Sequence, residues 1–376
     1  MIPENIEVLH QGDEFGNNMI IKTALASGRE IYGFTTKNNY GGGWDLGPTW
    51  NYVITSEKPF LLDAGRRGTG LKLLEMLEHA GLSYSDLDFI LLSHGHEDHD
   101  GGLNEIINSR GEIKILAHET YSYLKRSYPD IAPSPEKKEY TASCWHCRMP
   151  EPHIKKFCRD YHKEKIWLKT EEIKEQEYCL ADGITLFHVP GHSPDAIALL
   201  IDDEALFTGD TILSDITPHP TAEKYFDLTQ NILPVGYSEA QQLYGLRAYI
   251  RSLKKLNRLG EKTQDIRVLP AHRLFYDNKW NHIDLKQRVR ELIDHHIQRC
   301  SAILDILKDG PKTPEEITTL HFNSKLLKGY GIFMGINEIF SHLELLECSG
   351  DIIFIEDEKI SATREGHFES LINKLE

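Results

Sequence analysis

Ser93-His94-Gly95-His96-Glu97-Asp98-His99-Asp100 sets three histidines and two acids, Glu97 and Asp98, within the six residues from His94 to His99. Neutral imidazole and carboxylate are ligands that zinc, iron and manganese accept. His94 and His96 stand two apart, so in an extended segment they project the same way. The cluster follows directly on the apolar run Phe89-Ile90-Leu91-Leu92, which reads as a buried strand. Taken alone, such a cluster is also compatible with a solvated loop. Three further segments argue against that: Pro190-Gly191-His192, Thr208-Gly209-Asp210 and Pro270-Ala271-His272. Each follows its own apolar run and has Gly or Ala beside the ligand type, which lets backbones approach. Four strand ends carrying His94, His96, Asp98, His99, His192, Asp210 and His272 point to a metal centre.

The elements that must position these side chains alternate between strand and helix. Residues 50–63 read as two strands joined by a polar turn, and residues 70–80 as a helix with Leu71, Leu74 and Leu77 on one face. A helix near 101–108, a strand at 113–117 and a helix at 118–127 follow. Strands fit 184–189, 196–201, 205–208 and 266–270, and a helix fits 238–258. This is the pattern of an α/β domain whose sheets are covered by helices. Residues 128–170 are rich in Pro, Cys, His and charge and read as an insertion. Past residue 283 the character turns helical. Leu285, Val289, Leu292, Ile293, Ile303, Leu304 and Leu307 share a face of a long helix ended by Gly310-Pro311. Thr313-Pro314-Glu315-Glu316 opens another, a third fits 335–348, and a hairpin fits 352–361. Helix, helix, helix, hairpin is a winged-helix order. Two parts are therefore expected, a catalytic domain over 1–283 and a helical winged-helix-like domain over 284–376.

HxHxDH followed in order by the downstream His, Asp and His resembles the metal motifs of the metallo-β-lactamase superfamily. The resemblance implies a four-layer αββα sandwich with metals at one edge of the paired sheets. It implies one metal on His94, His96 and His192, a second on Asp98, His99 and His272, and Asp210 bridging both. Asp63, before Ala64-Gly65, matches an early aspartate that supports the site from behind its ligands. The last motif, commonly PGH, is PAH here. Gly209–His219, Tyr249–Leu256, Leu285–Pro311 with His295-His296, and His342–Leu346 extend the resemblance to the β-lactamase-like-2 group, whose members carry a C-terminal winged-helix-like domain.

The chemistry implied is binuclear. Two adjacent cations bring a bridging water towards ionisation near neutral pH and polarise the scissile carbonyl or phosphoryl oxygen. Two zinc ions are expected, with iron or manganese also suited to the ligands. Asp98 is the candidate to hold and shuttle the water proton. No G-x-S-x-G elbow is present. The group includes thioesterases acting on acyl carriers and a single-strand endoribonuclease, so the bond cut is left open. A carboxylic ester or thioester, small or carried on an acyl carrier, is the first expectation. A metal-dependent single-strand ribonuclease is the second, and a non-catalytic metal-binding protein the third.

Charge bears on that choice. The 376 residues carry a net charge of −16, which disfavours non-specific binding to nucleic acid or an anionic membrane. Residues 300–376 hold seven Lys plus Arg against fourteen Asp plus Glu, the wrong sign for a DNA-binding winged helix. That part is expected to serve packing, or a homodimer surface. No apolar run suggests a membrane span and the N-terminal residues do not resemble a signal peptide, so a cytoplasmic protein is the default.

Four smaller expectations complete the reading. Cys144, Cys147, Cys158 and His162 offer a Cys₃His set for a structural zinc, with free thiols as the alternative. His219 is a candidate for the substrate rim, where it could protonate a leaving group, with a rim histidine of no catalytic role favoured; Arg273 is a rim candidate for an anionic substrate, with a plain surface charge favoured. Tyr40, Trp44 and Trp50 could line an acyl pocket or stack bases, with plain packing favoured for Trp50. Cys300 and Cys348 are expected in the core.

Overall fold

The computed structural model describes residues 5–38, 44–125, 158–263, 265–355, 358–363 and 365–376. The first sheet runs in sequence order through β1 (Glu7–His10), β2 (Ile20–Ala24), β3 (Glu30–Thr36), β4 (Thr49–Ile54), β5 (Phe60–Leu62), β6 (Phe89–Leu91), β7 (Lys114–His118) and β8 (Glu171–Ile173). Its strands pair antiparallel up to β5 and parallel from β5 to β8. The second sheet has the order β13-β12-β11-β10-β9, made of β9 (Glu177–Ala181), β10 (Ile184–His188), β11 (Ile197–Ile201), β12 (Ala205–Gly209) and β13 (Arg267–Pro270). A short hairpin of β14 (Phe275–Tyr276) and β15 (Lys279–Trp280) follows.

Strands covered on both faces need apolar residues at every position, and period two decides which face each serves. In β11, Ile197, Leu199 and Ile201 enter the core between the sheets with Trp50, Tyr52, Leu62, Leu91 and Phe207. Ala198 and Leu200 point the other way, towards Leu246, Ile250 and Leu253 of helix α7 (Gly245–Lys262). On the first sheet's outer face, Tyr32, Val53 and Ile90 pack on Leu73, Leu77, Leu103 and Ile106. These come from α1 (Gly70–His79) and α3 (Leu103–Arg110), which flank the short α2 (Glu97–Asp100). Helix, sheet, sheet, helix are the four expected layers. The remaining helices of this part are α4 (Glu119–Leu124), α5 (Arg159–Lys165) and α6 (Phe226–Thr229). The helix read at 238–258 begins later, as α7, because Gly245 has a φ of +86°.

The expected C-terminal order is present: α8 (Leu285–Leu307), α9 (Pro314–His321), α10 (Gly331–Cys348), then a hairpin of β16 (Ile352–Phe354) and β17 (Ile360–Ala362), with α11 (Phe368–Lys374) in addition. Thr313 caps α9 in a capping box with Glu316. The boundary expected at 283–284 falls just before α8. The core continues across it, since Leu292, Ile303, Leu343 and Leu346 join the same cluster as α7. Cys300 is buried as expected, but Cys348 is exposed at the end of α10, where its sulfur meets the Arg247 guanidinium instead of the core. Among the described residues no helix is long and apolar enough to cross a membrane.

His118, at the end of β7 of the first sheet, and His188, at the end of β10 of the second, stack with ring centroids 3.7 Å apart. Burial holds His188 down at about 3, and the His118 ring well below its ordinary value. Both stay neutral in the fold, whereas the unfolded chain takes up their protons below about pH 6.5. Stability is therefore present above that pH and lost as pH falls. For His188 the loss between pH 7 and 5 is about 2 kcal/mol. His188→Gln is expected to remove roughly one proton from the acid dependence of the urea midpoint. An unchanged slope would show that His188 titrates alike in both states.

Candidate metal centre

The five aspartate- and histidine-bearing turns lie where strands end at one edge of the paired sheets. Asp63, following β5, has a φ of 62°, a conformation that non-glycine residues rarely adopt. Its own N–H bonds the Leu91 carbonyl at 2.9 Å, and the Ala64 N–H bonds the His99 carbonyl at 2.7 Å. Held there, its carboxylate accepts the Ser93 N–H and hydroxyl, each at 2.7 Å, and the His99 Nδ1–H at 2.8 Å. That fixes the tautomer of His99 and turns its Nε2 to the centre. Two other rings are fixed the same way. His192 Nδ1–H donates to the His219 carbonyl at 2.8 Å and His272 Nδ1–H to the Pro48 carbonyl at 3.2 Å. The sheets are tied at this edge by Ile197 N–H to Ser93 O, 2.8 Å, and Trp50 N–H to Ala271 O, 2.7 Å.

Among the described residues, His94, His96, His192 and Asp210 bring donor atoms within 4.8 Å of one another, and Asp98, His99 and His272 form a second such group. Asp210 stands between them. One oxygen lies 3.5 Å from His192 Nε2; the other lies 3.4 Å from His272 Nε2 and 3.6 Å from His99 Nε2. His96 Nδ1 is 2.9 Å from His94 Nε2 and 3.1 Å from His192 Nε2. Ligands held at about 2.0–2.1 Å around a tetrahedral zinc sit about 3.3 Å apart, which matches these separations. His99 Nε2, His272 Nε2 and one Asp210 oxygen are buried without a hydrogen-bond partner. Orphaned polar atoms are costly, and three converging on one point is what a bound cation relieves. The residues present therefore fit a metal pair.

Their electrostatics agree. Burial pushes His94 and His192 down, towards the neutral form that binds metal. Burial acts against protonation of His272 and His99 too, but Asp210 and Asp98 outweigh it. His272 is raised to about 9, and His99, with Asp63 also near, well above its ordinary value. Asp98 and Asp210 are buried, which would raise them, yet His99 and His272 hold both below the usual carboxylate range. Without a cation, protons on His99 and His272 balance the two acids. A bound metal pair would take their place and release them.

The structure also recruits residues with no motif of their own. Asn38 Nδ2 donates to Asp98 Oδ2 at 2.7 Å, orienting that carboxylate. Asp100 is buried and paired with Lys165 Nζ at 2.8 Å, and it accepts hydrogen bonds from Tyr121 and Tyr161. Tyr161 and Lys165 lie four apart on α5, at the end of the sequence insertion, so the insertion grips the loop that carries the histidines. Their i, i+4 spacing was the one signal available. Cys158 stands half-buried at the start of α5, and burial keeps the His162 ring neutral. Cys144, Cys147 and Tyr40 lie outside the described residues.

The remaining candidates are placed as follows. Arg273 is not open to the rim. It stacks 3.7 Å over Tyr276, bonds the carbonyls of Asp45 and Leu46, and approaches Asp215 at 3.4 Å, bracing the loop before β4. His219 is mostly buried behind His192, with burial holding it at about 3. Trp50 packs in the core against Tyr52 and does not line a pocket. Trp44 donates to the Leu326 carbonyl at 2.9 Å and meets Phe322.

Comparison with known proteins agrees with this geometry. The chain is 26% identical over 186 residues to an N-acyl homoserine lactonase of a Bacillus species, covering 42% of this chain and 59% of the lactonase. It is 28% identical over 239 residues to an atrochrysone carboxyl ACP thioesterase of Passalora fulva, covering 59% of this chain and 56% of that one. It thus spans less than two thirds of either relative. A beta-lactamase-like protein 2 homolog of Drosophila melanogaster is 23% identical over 72% of this chain and 76% of its own. Two crystal structures share the fold. A metallo-beta-lactamase family protein of Thermus thermophilus superposes with TM-score 0.61 at 20% identity, over 88% of this chain and 98% of that one. A beta-lactamase domain protein of Burkholderia ambifaria gives 0.63 at 17% identity, over 91% and 93%. Residues 44–272, from the loop before β4 to the last histidine of the centre, match the metallo-beta-lactamase superfamily domain, and the chain belongs to that superfamily.

Proposed function

We propose that the protein is a binuclear metal-dependent hydrolase acting on a carboxylic ester or thioester. The observation that carries the binuclear reading is the position of Asp210, with one oxygen towards each donor group. His94, His96 and His192 would hold one cation, Asp98, His99 and His272 the other, and Asp210 both. Bound there, a pair of divalent cations supplies Lewis acidity and water activated near neutral pH. Asp98, aimed by Asn38, holds the proton that the attacking water loses and passes it to the leaving group. Asp63 and the His219 and Pro48 carbonyls keep the imidazoles in register. The ester or thioester assignment draws on the lactonase and thioesterase among the relatives, and on the acidic C-terminal residues, which do not favour a polyanion.

The test is a panel of acyl-homoserine lactones, aryl esters, acyl thioesters on coenzyme A or a carrier protein, and single-stranded RNA, assayed with and without a chelator. Chelator-sensitive hydrolysis of esters or thioesters is expected. Cleavage of RNA with no ester turnover would move the site to phosphodiester chemistry. Metal binding with no turnover of any of them would leave a metal-binding protein.

A further inference from the structure

The turn that presents His192 is moulded by the segment after it. The His219 carbonyl takes the His192 Nδ1–H at 2.8 Å. Thr221 donates its N–H and hydroxyl to the Gly191 carbonyl at 2.7 and 2.9 Å. Prolines on either side of His219 stiffen the segment.

That segment is in turn fastened to the C-terminal helices. The carboxylate of Glu344, on α10, accepts the N–H groups of Glu223 and Lys224 at 2.6 and 3.0 Å. Between one and two turns earlier on α10, Glu338 is 3% exposed and lies 3.9 Å from His219 Nε2. Arg299 of α8 pairs with Glu338 and bonds His321 at 3.2 Å. His296, Glu338 and His342 also bring donor atoms within 4.8 Å of one another. The guanidinium already on Glu338 makes that cluster a poor home for a further cation, because two positive groups would share one buried carboxylate. Its Glu338 end packs beside His219, at a distance beyond a hydrogen bond, which leaves His219 Nε2 buried without a partner.

We propose that α8 and α10 set the metal affinity of the position formed by His94, His96 and His192. Glu344 does so by holding residues 223–224, and the Arg299–Glu338 pair by seating His219. Neither acid is a metal ligand; both are positioning residues. The C-terminal helices are then part of one metal position and not of the other, which is braced by Asn38 and the Pro48 carbonyl, while Asp63 serves both through Ser93 and His99. The inference rests on the binuclear reading.

The experiment uses the full-length, zinc-loaded protein. Zinc release is followed against a graded chelator, with bound zinc counted by elemental analysis and the cobalt form watched by visible absorption. Glu338→Gln and Glu344→Gln keep size and shape, and circular dichroism melts check folding. Asn38→Ala, which frees the Asp98 carboxylate, marks the release step of the other position. Ile353→Ser, on β16 at 52% exposure, is the control. Wild type is expected to release two zinc ions in two steps. In Glu338→Gln and Glu344→Gln one step moves to about 10–100-fold weaker affinity, and it is the step that Asn38→Ala leaves in place. Ile353→Ser matches wild type. If both steps shift together, or neither shifts in a folded variant, the inference fails while the binuclear reading stands. If wild type binds no zinc at all, the binuclear reading itself fails and takes the inference with it.

Discussion

Asp210→Ala is expected to purify as a folded protein that keeps at most one metal ion per chain and loses at least about a thousandfold in kcat/KM, or about 4 kcal/mol of transition-state stabilisation. Asp210 is the one side chain whose two oxygens face both donor groups. Removing it subtracts a ligand from each. It also removes the largest favourable influence on the His272 proton, so the cavity it leaves favours neutral, unbridged imidazoles. Second-sphere changes around metal sites typically cost 10–100-fold, and a bridging ligand lies above that range. Elemental analysis beside steady-state rates checks both halves. A variant with two metals and wild-type rates would show that the carboxylate is not a bridge, and a single metal with full activity would show that one cation suffices.

Gly191→Ala is expected to cost at least about 3 kcal/mol of stability, by strain and overlap together. Gly191 has a φ of +127°, and a Cβ there would stand 2.3 Å from Tyr249 Cα and 2.4 Å from Tyr249 N. Those atoms belong to α7, which cannot step aside without disturbing Leu246, Ile250 and Leu253 beneath it. Tyr249 is itself pinned, its hydroxyl donating to the Thr211 carbonyl at 2.7 Å beside the Asp210 turn. Such a loss is a large share of the roughly 5–15 kcal/mol that holds a domain folded. Gly28→Ala separates the two causes, since Gly28 also has a positive φ, +86°, but no atom within 4 Å of an added Cβ. That variant is expected to lose only about 1 kcal/mol, the cost of the backbone conformation. Urea unfolding of the two proteins reads the difference, and equal losses would show that the helix yields after all.

The metal centre was legible because its ligands are bunched where strands stop. β6, β10, β12 and β13 are short apolar runs, and each hands over within a few residues to His94, His192, Asp210 or His272. Strand and ligand are read from the same few letters. The residues that steer the ligands carry no such signature. Asn38, the Pro48 carbonyl and His219 act through single hydrogen bonds across sequence separations that periodicity does not reach. The N-terminal strands were likewise hard to read. β1 is mostly exposed and shows no alternation, and β2 breaks its apolar run with Lys22. β2 becomes a strand by pairing with β3, and β1 by pairing with β2, a tertiary decision that overrides local preference. Arg273 could not be placed for a related reason. Its partners, Tyr276 and the Asp45–Leu46 backbone, are met because its φ of 65° turns the side chain back, and no letter pattern shows that.

The sheet order also governs how the centre comes together as the chain is made. The three histidines of the first cluster, with Asp98 among them, are synthesised early, whereas His272 arrives only with β13. β13 is the edge strand of the second sheet and joins in parallel to β12, which sets the Asp210 and His272 turns side by side. The donor set is thus shared between the sheets, with His94, His96, Asp98 and His99 after β6 of the first and His192, Asp210 and His272 after β10, β12 and β13 of the second. Neither sheet alone holds a full donor group, and a chain cut before β13 is expected to lack the third member of the Asp98–His99 group.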